Sequence, residues 1–254
     1  MPTTFRTPIN GRPIMLALNA PNAEITTEAV PGLTEATARI TGSSEVIDRA
    51  TEARDGDRWT ITLPEGAGTV TSFGRGTNVF SGGGVVVQAG NISGTVVFSD
   101  GDLHIGSGSA TRAVVVEPTR VHVRLPEGSD LIVKTENGTA RARGVYGHVD
   151  FNSHNGSLHL DRAVRVDAGT NNGSFTFGGA SDEIDASTTN GSVDVHASAP
   201  ITRVNTTNGS VFVSAAGAHR IDARTTNGDV TVLRNGHSDA DIRTRTTNGR
   251  DRVR

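Results

Sequence analysis

The sequence of 254 residues contains no cysteine, which excludes a disulfide framework and any chemistry that depends on a thiol. Aromatic residues make up only 4 % of the chain, so a core has to be filled mainly by Val, Ile, Leu and Ala. No apolar run approaches the ~18 residues that a membrane-spanning helix needs. The formal net charge is −3, so a general attraction to nucleic acid is not expected.

What the chain does contain is a repeat. Seven of the Asn–Gly pairs in its second half recur at steps of 17 to 21 residues, and the last four of these seven lie in an identical Thr-Thr-Asn-Gly tetrapeptide. A fixed period of this length is typical of architectures in which one unit cannot bury its apolar side alone and packs on the next unit. The pairs are Asn137 and Gly138, Asn155 and Gly156, Asn172 and Gly173, Asn190 and Gly191, Asn208 and Gly209, Asn227 and Gly228, and Asn248 and Gly249.

Apolar residues flank most of these Asn residues at constant positions, six and four residues before the Asn and three and five residues after it. Around Asn190 these positions hold Ile184, Ala186, Val193 and Val195. The residues between them are mostly polar, and this alternation predicts two short, half-buried strands per unit. Asn and Gly tolerate positive φ angles, so the pair predicts a tight turn or corner between the two strands.

Two folds satisfy this pattern. In an antiparallel meander, each Asn–Gly closes a hairpin, for which it is a strong local signal. In a parallel β-solenoid (β-helix), each unit is one coil of about 18 residues and equivalent residues stack in columns. The constant register over seven units, and the identical Thr and Asn residues that can form hydrogen-bonded ladders, favour the solenoid. We therefore predict an all-β protein, a parallel β-solenoid with an antiparallel N-terminal cap.

The chain divides into three parts that we expect to form one continuous elongated domain. Residues 1–65 alternate like strands and predict an antiparallel β cap. Residues 66–120 are glycine-rich, yet residues 85–87, 95–98 and 114–116 resemble strands, which predicts an irregular β region or an insertion. Residues 121–254 contain the Asn–Gly repeats and a charged C-terminal cap.

The last repeat unit carries charge where earlier units are apolar. Asp251 occupies the position that holds Val193, Val211 and Val230 in other units, and a charged last coil blocks edge-to-edge growth. We interpret the unit as a solubilising cap. Its arginines allow a second interpretation, a docking patch for an anionic partner such as a phospholipid head group or nucleic acid. They are Arg243, Arg245, Arg250, Arg252 and Arg254.

Patterns of catalytic or ligand residues are missing. The eight histidines form no pair at the short spacings typical of metal ligands. Asp185 and Asp222 share one position of the repeat, with Arg203 between them, which indicates alternating charge on a solvated face and not the paired carboxylates of a glycosidase. The sequence therefore predicts that the protein is not an enzyme and has no catalytic, cofactor-binding or metal-binding residues.

Three segments together resemble a known family. They are Trp59-Thr-Ile-Thr-Leu-Pro, Val121-His-Val-Arg-Leu-Pro-Glu-Gly-Ser-Asp-Leu, and the repeated Thr-x-Asn-Gly-x-Val units. They are similar to bacterial β-strand-repeat proteins of unknown function, common in actinobacteria and often named putative adhesins. The resemblance covers most of the chain and is strongest from residue 121 to residue 249. It implies a β-repeat fold and, through some relatives, a link to envelope stress, and it supplies no catalytic residue.

These observations predict a non-enzymatic scaffold that presents a flat β-solenoid face to a protein partner or to another copy of itself. The alternative is a polysaccharide-binding or polysaccharide-cleaving β-helix, in which carboxylates would gather in a groove. The first residues lack the apolar core of an export signal, so we expect a cytoplasmic protein without a membrane span. No cofactor and no nucleic acid is expected as a ligand, and any contact with an anionic surface would use the C-terminal arginines.

Overall fold

A computed structural model describes residues 2–64, 118–197, 199–215, 218–234 and 240–254, together with four short strands between residues 79 and 105. This described part of the chain is almost entirely β-structure, with 21 strands and one short helix. Seventeen of the strands form one large sheet that contains both parallel and antiparallel pairs. The prediction of an all-β protein is confirmed.

The N-terminal part contributes six strands and the helix to this fold. Their bounds are β1 (Thr3–Pro8), β2 (Met15–Asn19), β3 (Glu24–Val30), β4 (Glu35–Thr41), α1 (Ser44–Arg49), β5 (Thr51–Asp55) and β6 (Arg58–Thr62). Four strands follow in two antiparallel pairs, β7 (Val79–Gly82) with β8 (Val85–Gln88) and β9 (Val96–Ser99) with β10 (Asp102–Ile105). The strands predicted at 85–87 and 95–98 overlap β8 and β9, whereas residues 114–116 lie outside the described residues.

The repeat region begins with β11 (Arg120–Pro126) and the long β12 (Asp130–Asn172), which passes through the first units without interruption. Shorter strands follow on either side of each Asn–Gly pair. They are β13 (Phe175–Phe177), β14 (Ala180–Asn190), β15 (Val193–Val195), β16 (Ile201–Asn208), β17 (Val211–Ser214), β18 (Arg220–Asn227), β19 (Val230–Leu233), β20 (Asp241–Arg245) and β21 (Asp251–Val253).

Successive repeat units pair in parallel and in register. The strands before Asn–Gly follow one another from β12 through β14, β16 and β18 to β20. The strands after Asn–Gly follow from β12 through β13, β15, β17 and β19 to β21. Val211 pairs with Val193 on one side and Val230 on the other, and all three are buried. The predicted in-register columns are confirmed, because a meander would pair these strands antiparallel.

The apolar positions of the repeat form the core. In the units around Asn155, Asn172, Asn190 and Asn227, every apolar position is at most 6 % exposed. Aromatic side chains cluster near the start of the stack, where the rings of Phe151 and Phe175 meet edge to face with centroids 6.0 Å apart. Farther along, the columns contain mainly Val, Ile and Ala, as the low aromatic content predicts.

The predicted antiparallel N-terminal cap is correct only in part. Strands β1 and β4, β5 and β6, and β4 and β11 are antiparallel pairs. In contrast, β2 lies parallel between β6 and the start of β12, and β3 lies parallel between β11 and β12. The reason is that β2 and β3 carry the same apolar alternation as the repeat strands. Leu16 pairs with Leu131 and Ile25 with Ala140, so both strands join the stack as an additional unit.

Candidate functional site

The predicted Asn residues lie one above another along the stack. Each Asn side chain donates a hydrogen bond from Nδ2 to Oδ1 of the Asn in the preceding unit, at 2.6–2.8 Å. From Asn172 onward, the pair follows the end of one strand and precedes the next, whereas β12 continues through Asn137 and Asn155. The pairs therefore form one continuous ladder, and their role as corner turns stays a prediction.

The ladder has one rung that the sequence did not indicate. Asn137 donates to Oδ1 of Asn22 at 2.8 Å, which places the N-terminal Asn22 below the seven predicted residues. The repeat template could have found it, because Leu16, Leu18 and Ile25 stand six and four residues before Asn22 and three residues after it. A search for Asn–Gly misses the unit because Asn22 is followed by Ala23.

Glycine follows each of the other Asn residues because neighbouring units approach very closely there. A methyl group on Gly209 would overlap the carbonyl oxygen of Gly191 in the preceding unit. In the last four units, the Thr two residues before Asn also donates a hydrogen bond to this column, as Oγ1 of Thr206 donates to the carbonyl oxygen of Gly191 at 2.9 Å. Thr188, Thr225 and Thr246 make the equivalent bond at 2.8–3.0 Å. The Asn–Gly column thus fixes the register of the stack.

The outward side of the strands before Asn–Gly carries alternating charge, and we call it the charged face. One column runs through register partners from Asp167 to Asp185, Arg203, Asp222 and Arg243. The predicted position of Arg203 between Asp185 and Asp222 is confirmed. Most of these side chains are exposed, so their ion pairs contribute little to stability individually.

Glu183 has the strongest ion pairs of the charged face. Its carboxylate contacts the guanidinium of Arg203 and lies 2.6 Å from that of Arg165. The hydrogen bond from Arg203, supported by the charge of Arg165, lowers the pKa of Glu183 below its ordinary value. The carboxylate therefore stays ionised and holds three successive units together through one network of charges.

Asp185 behaves in the opposite way. Partial burial raises the pKa of Asp185, and the nearby Asp167 and Glu183 act in the same direction while Arg203 opposes them. Asp167 in turn lies 2.7 Å from Nε2 of His148. Paired carboxylates with a raised pKa occur in acid–base sites. Here the side chains of Asp167 and Asp185 are 50 % and 51 % exposed, which is the environment of a solvated surface ladder.

The outward side of the strands after Asn–Gly carries two shallow, adjoining grooves, and we call it the groove face. It continues onto β3, β11 and β4, which pair below the first repeat strand. The lower groove has a volume of about 460 Å³ and the upper groove about 370 Å³, and Arg143 lines both. Their other linings are mainly charged and hydroxyl side chains, including Arg39, Thr26 and His159.

An aromatic side chain lies farther along the groove face. Phe212 occupies an outward position between its register partners Asp194 and Thr231 and is partly exposed. The imidazole of His196 packs near it, with ring centroids 6.3 Å apart. Leu233, also partly exposed, follows on the next strand of this side. The sequence analysis did not single out this patch, although the repeat template could have found it, because Phe212 stands four residues after Asn208, between the inward positions of Val211 and Val213.

The predicted C-terminal arginines are divided between two strands. Arg243 and Arg245 belong to β20, which pairs with β18, whereas Arg252 belongs to β21, which pairs with β19. Arg243 forms an ion pair with Asp241 at 3.1 Å. The backbone amide of Arg250 donates to the carboxylate of Asp229 at 2.8 Å, and the amide of Arg254 bonds the carbonyl of Val232. The docking role of these arginines stays a prediction.

Within the described ranges, no group of three or more His, Asp and Glu side chains is arranged to hold a metal ion. The same part of the chain has no helix of the length and apolar character required to cross a membrane.

Comparison with known proteins reveals similarity at the level of the fold. No family model matches the sequence, and no curated protein matches it either. The crystal structure of a putative adhesin from Bacteroides fragilis NCTC 9343 is similar, with a TM-score of 0.57 and 8 % identity over 99 % of this chain and 97 % of that chain. A putative adhesin from Parabacteroides distasonis ATCC 8503 has a TM-score of 0.50 and 12 % identity over 100 % of this chain and 97 % of that chain.

At these identities the likeness shows a shared fold alone. It agrees with the bacterial, adhesin-named part of the predicted resemblance. A specific relation to actinobacterial proteins stays a prediction.

Proposed function

We propose that the protein is a non-enzymatic binding scaffold in which the repeat units close into a β-solenoid of about 18-residue coils. The parallel, in-register pairing of seven units supports this architecture, because identical register across units is what stacked coils require. Structural neighbours named putative adhesins are consistent with a binding role. The scaffold uses a flat side of the rod to bind a protein partner or a second copy of itself.

The observation that carries this proposal is the partly exposed Phe212 on the groove face. Protein interfaces concentrate their binding energy in a few aromatic and aliphatic side chains that are surrounded by polar residues. Phe212 is such a side chain, since its register partners Asp194 and Thr231 and the nearby His196 are polar, and the partly exposed Leu233 lies on the next strand. Equivalent outward positions in earlier units carry polar side chains, for example Thr176, so the apolar patch is local and suits one binding site.

The test is a comparison of wild type with Phe212→Ser, using Thr176→Ser as a matched change at an outward position of the same face. Both variants should keep the wild-type circular dichroism spectrum and melting temperature, since neither side chain belongs to the buried core. We expect wild type to associate with itself in sedimentation velocity, or to retain a defined partner from a native extract after cross-linking. Phe212→Ser should lose that association and Thr176→Ser should retain it. Association that is equal in both variants would contradict the assignment of this patch.

The location and the biological setting are part of the same proposal. A cytoplasmic scaffold should be found in the soluble fraction of the cells that produce it, and fractionation with an antibody against the intact protein tests this. The link to envelope stress is supported only by the sequence resemblance. It predicts that the amount of the protein rises when the cell envelope is damaged, which quantitative immunoblotting would measure.

A further inference from the structure

The two grooves of the groove face form one trough across several neighbouring strands. From β4 the trough crosses β11 and β3 and continues over the first two passes of β12 to Ser174 and Thr176. Neighbouring strands are about 4.8 Å apart, so these six strands span roughly 24 Å. This length suits an extended chain molecule and exceeds what a small ligand needs.

The trough carries an excess of positive charge. The linings of its two grooves contain four guanidinium groups, those of Arg39, Arg120, Arg141 and Arg143, and three carboxylates, those of Glu24, Glu28 and Asp161. One positive charge therefore remains, before any contribution from His122 and His159, which also line the trough.

The ion pairs show which arginines are free to bind a ligand. Glu24 is shared by Arg120 at 3.4 Å and Arg141 at 2.9 Å. Glu28 is shared by His122 at 3.5 Å and Arg124 at 3.9 Å. The carboxylate of Asp161 accepts a hydrogen bond from the backbone amide of Gly144 at 3.1 Å.

Arg39 and Arg143 are exposed, and neither forms an ion pair within the part of the chain that the structure describes. Register places them three strands apart and offset by two residues along the strand, about 16 Å in all. Two free guanidinium groups at this separation can bind two anionic groups of one extended chain.

Hydroxyl groups fill the spaces between the charges. Thr26 and Thr41 lie in the lower groove, and Thr139, Ser157, Ser174 and Thr176 lie in the upper one. The apolar residues of the two linings, Val121 and Leu158, are each only 1 % exposed. The trough thus offers guanidinium and hydroxyl groups at intervals of one strand, with no apolar anchor.

From this chemistry we infer that the trough binds a linear anionic polysaccharide, whose carboxylate or sulfate groups pair with Arg39 and Arg143. Its sugar hydroxyls bond the threonine and serine side chains between them. A strand spacing is close to the length of one extended sugar residue, so successive sugars can meet successive strands of the trough. An acidic protein segment fits less well, because protein interfaces rely on buried aromatic and aliphatic side chains that the trough lacks. Single-stranded nucleic acid fits less well because no Phe, Tyr or Trp side chain lines either groove for base stacking.

The binding test uses the full chain and four defined probes. Polygalacturonate supplies carboxylates, heparin supplies sulfates, dextran is the neutral polysaccharide, and a single-stranded oligonucleotide supplies phosphates. Affinities are measured by calorimetric titration at two salt concentrations, because exposed charge pairs weaken as ionic strength rises. We expect at least one of the two anionic polysaccharides to bind, to bind more weakly at higher salt, and dextran not to bind.

The double variant R39Q/R143Q should lose at least about tenfold in affinity, because each substitution removes a charged, planar donor that is suited to carboxylate and sulfate. The matched control R162Q/R220Q removes the same charge at exposed positions outside the trough and should change the affinity less than about twofold. Unchanged melting temperatures show that both variants are folded. Equal losses in the two variants, absence of binding to both anionic polysaccharides, or tighter binding of the oligonucleotide through the same two arginines would each overturn the inference.

Discussion

The middle of the repeat stack and its last unit have the same backbone pairing but opposite chemistry in the same columns. In the middle, Val211 lies between two other valines and is 1 % exposed. In the last unit, Asp251 occupies that column as the register partner of Val230, and its carboxylate accepts a hydrogen bond from Thr244 at 2.7 Å. Thr244 itself stands in the column of the buried Ala223.

The last unit therefore replaces an apolar pair of the core by a polar, hydrogen-bonded pair. Strand β21 still pairs with β19, and Asn248 still donates a hydrogen bond to Asn227 in the Asn ladder. The difference separates two roles: backbone pairing and the Asn ladder set the register, while the apolar columns determine whether a further unit can pack on top.

The largest expected effect comes from placing the chemistry of the last unit in the middle. Val211→Asp buries a carboxylate without a partner, which costs several kcal/mol, an amount comparable to the stability of a whole domain. Neighbouring units depend on each other, so the damage should spread along the stack. We expect the melting temperature to fall by ~10 °C or more in circular dichroism. Thr231→Asp, an outward change with the same charge, is the control. A Val211→Asp protein that melts like wild type would mean that Val211 is not in the core.

A smaller difference is expected from the glycine column. Gly209→Ala places a methyl group against the carbonyl oxygen of Gly191 while further units pack above it, and crowding of this kind costs about 1–3 kcal/mol. Gly249→Ala meets the carbonyl of Gly228 in the same way, but the last unit can shift outward. Urea denaturation should therefore show a larger loss of unfolding free energy for Gly209→Ala than for Gly249→Ala. Equal losses would show that the last unit is as constrained as the middle.

The Asn ladder allows the same comparison between the middle of the stack and its last unit, with smaller expected effects. Asn208 donates to Asn190 and accepts from Asn227, whereas Asn248 only donates to Asn227. The exposed bonds are worth little individually, so Asn208→Ala should reduce the unfolding free energy by about 1 kcal/mol and Asn248→Ala by roughly half as much. The check is the same urea titration. An effect of Asn248→Ala that exceeds that of Asn208→Ala would contradict a simple count of rungs.

The reverse exchange at the last unit should change association more than stability. Asp251→Val restores the apolar column and removes a negative charge from β21, where charge disfavours edge-to-edge pairing of strands. The protein should remain folded with a nearly unchanged melting temperature, and sedimentation velocity should reveal stronger concentration-dependent association than that of wild type at the same concentration. Asp229→Val, in an outward turn position below Arg250, is a charge-matched control. A monomeric Asp251→Val protein would show that the carboxylate is not what limits growth of the stack.

The smallest effect is a pH dependence on the charged face. The pKa of Asp185 is raised in the folded state, so its ionised form opposes folding, and this cost appears as the pH rises through the folded pKa. Asp185→Asn should stabilise the protein at pH 7 by less than about 1 kcal/mol, because the side chain is half exposed. Below about pH 3, where the aspartate is largely protonated in both states, the gain should vanish. Melting curves of Asp185→Asn and of the exposed Asp182→Asn at both pH values test this, and a gain that does not depend on pH would refute it.

The repeat strands could be predicted from sequence because burial repeats there with a period of two on both sides of a constant marker. Val193, Val211 and Val230 were assignable to one column from their distance to Asn–Gly alone. The ladder of amide side chains followed from the same register, since identical residues at one strand spacing are within hydrogen-bond distance.

The N-terminal part and the binding surfaces could not be predicted in the same way. The spacing of apolar residues around Asn22 matches the template, but Asn22 lacks the glycine that marks a unit, and the alternation of β3 alone does not indicate that it pairs in parallel with β11 and β12, more than 90 residues later. Arg39 and Arg143 are far apart in sequence, and they line the same trough only because these strands pair. Phe212 differs from these residues, because its distance from Asn208 places it at an outward position of the template, and only the expectation that a Phe is buried argues against it.

The parallel position of β2 and β3 has a consequence for the order of folding. Repeat units contact their neighbours at separations of 17 to 21 residues, so each can form soon after the previous one. The first unit is different, because Leu16 pairs with Leu131 and Asn22 bonds with Asn137. These contacts cannot form until the much later partner residues have been synthesised. Closing a loop of this length costs conformational entropy before any contact compensates for it. During synthesis, the N-terminal strands therefore expose unpaired edges until residue 143 has left the ribosome, and this is the interval in which the chain most needs protection against misassembly.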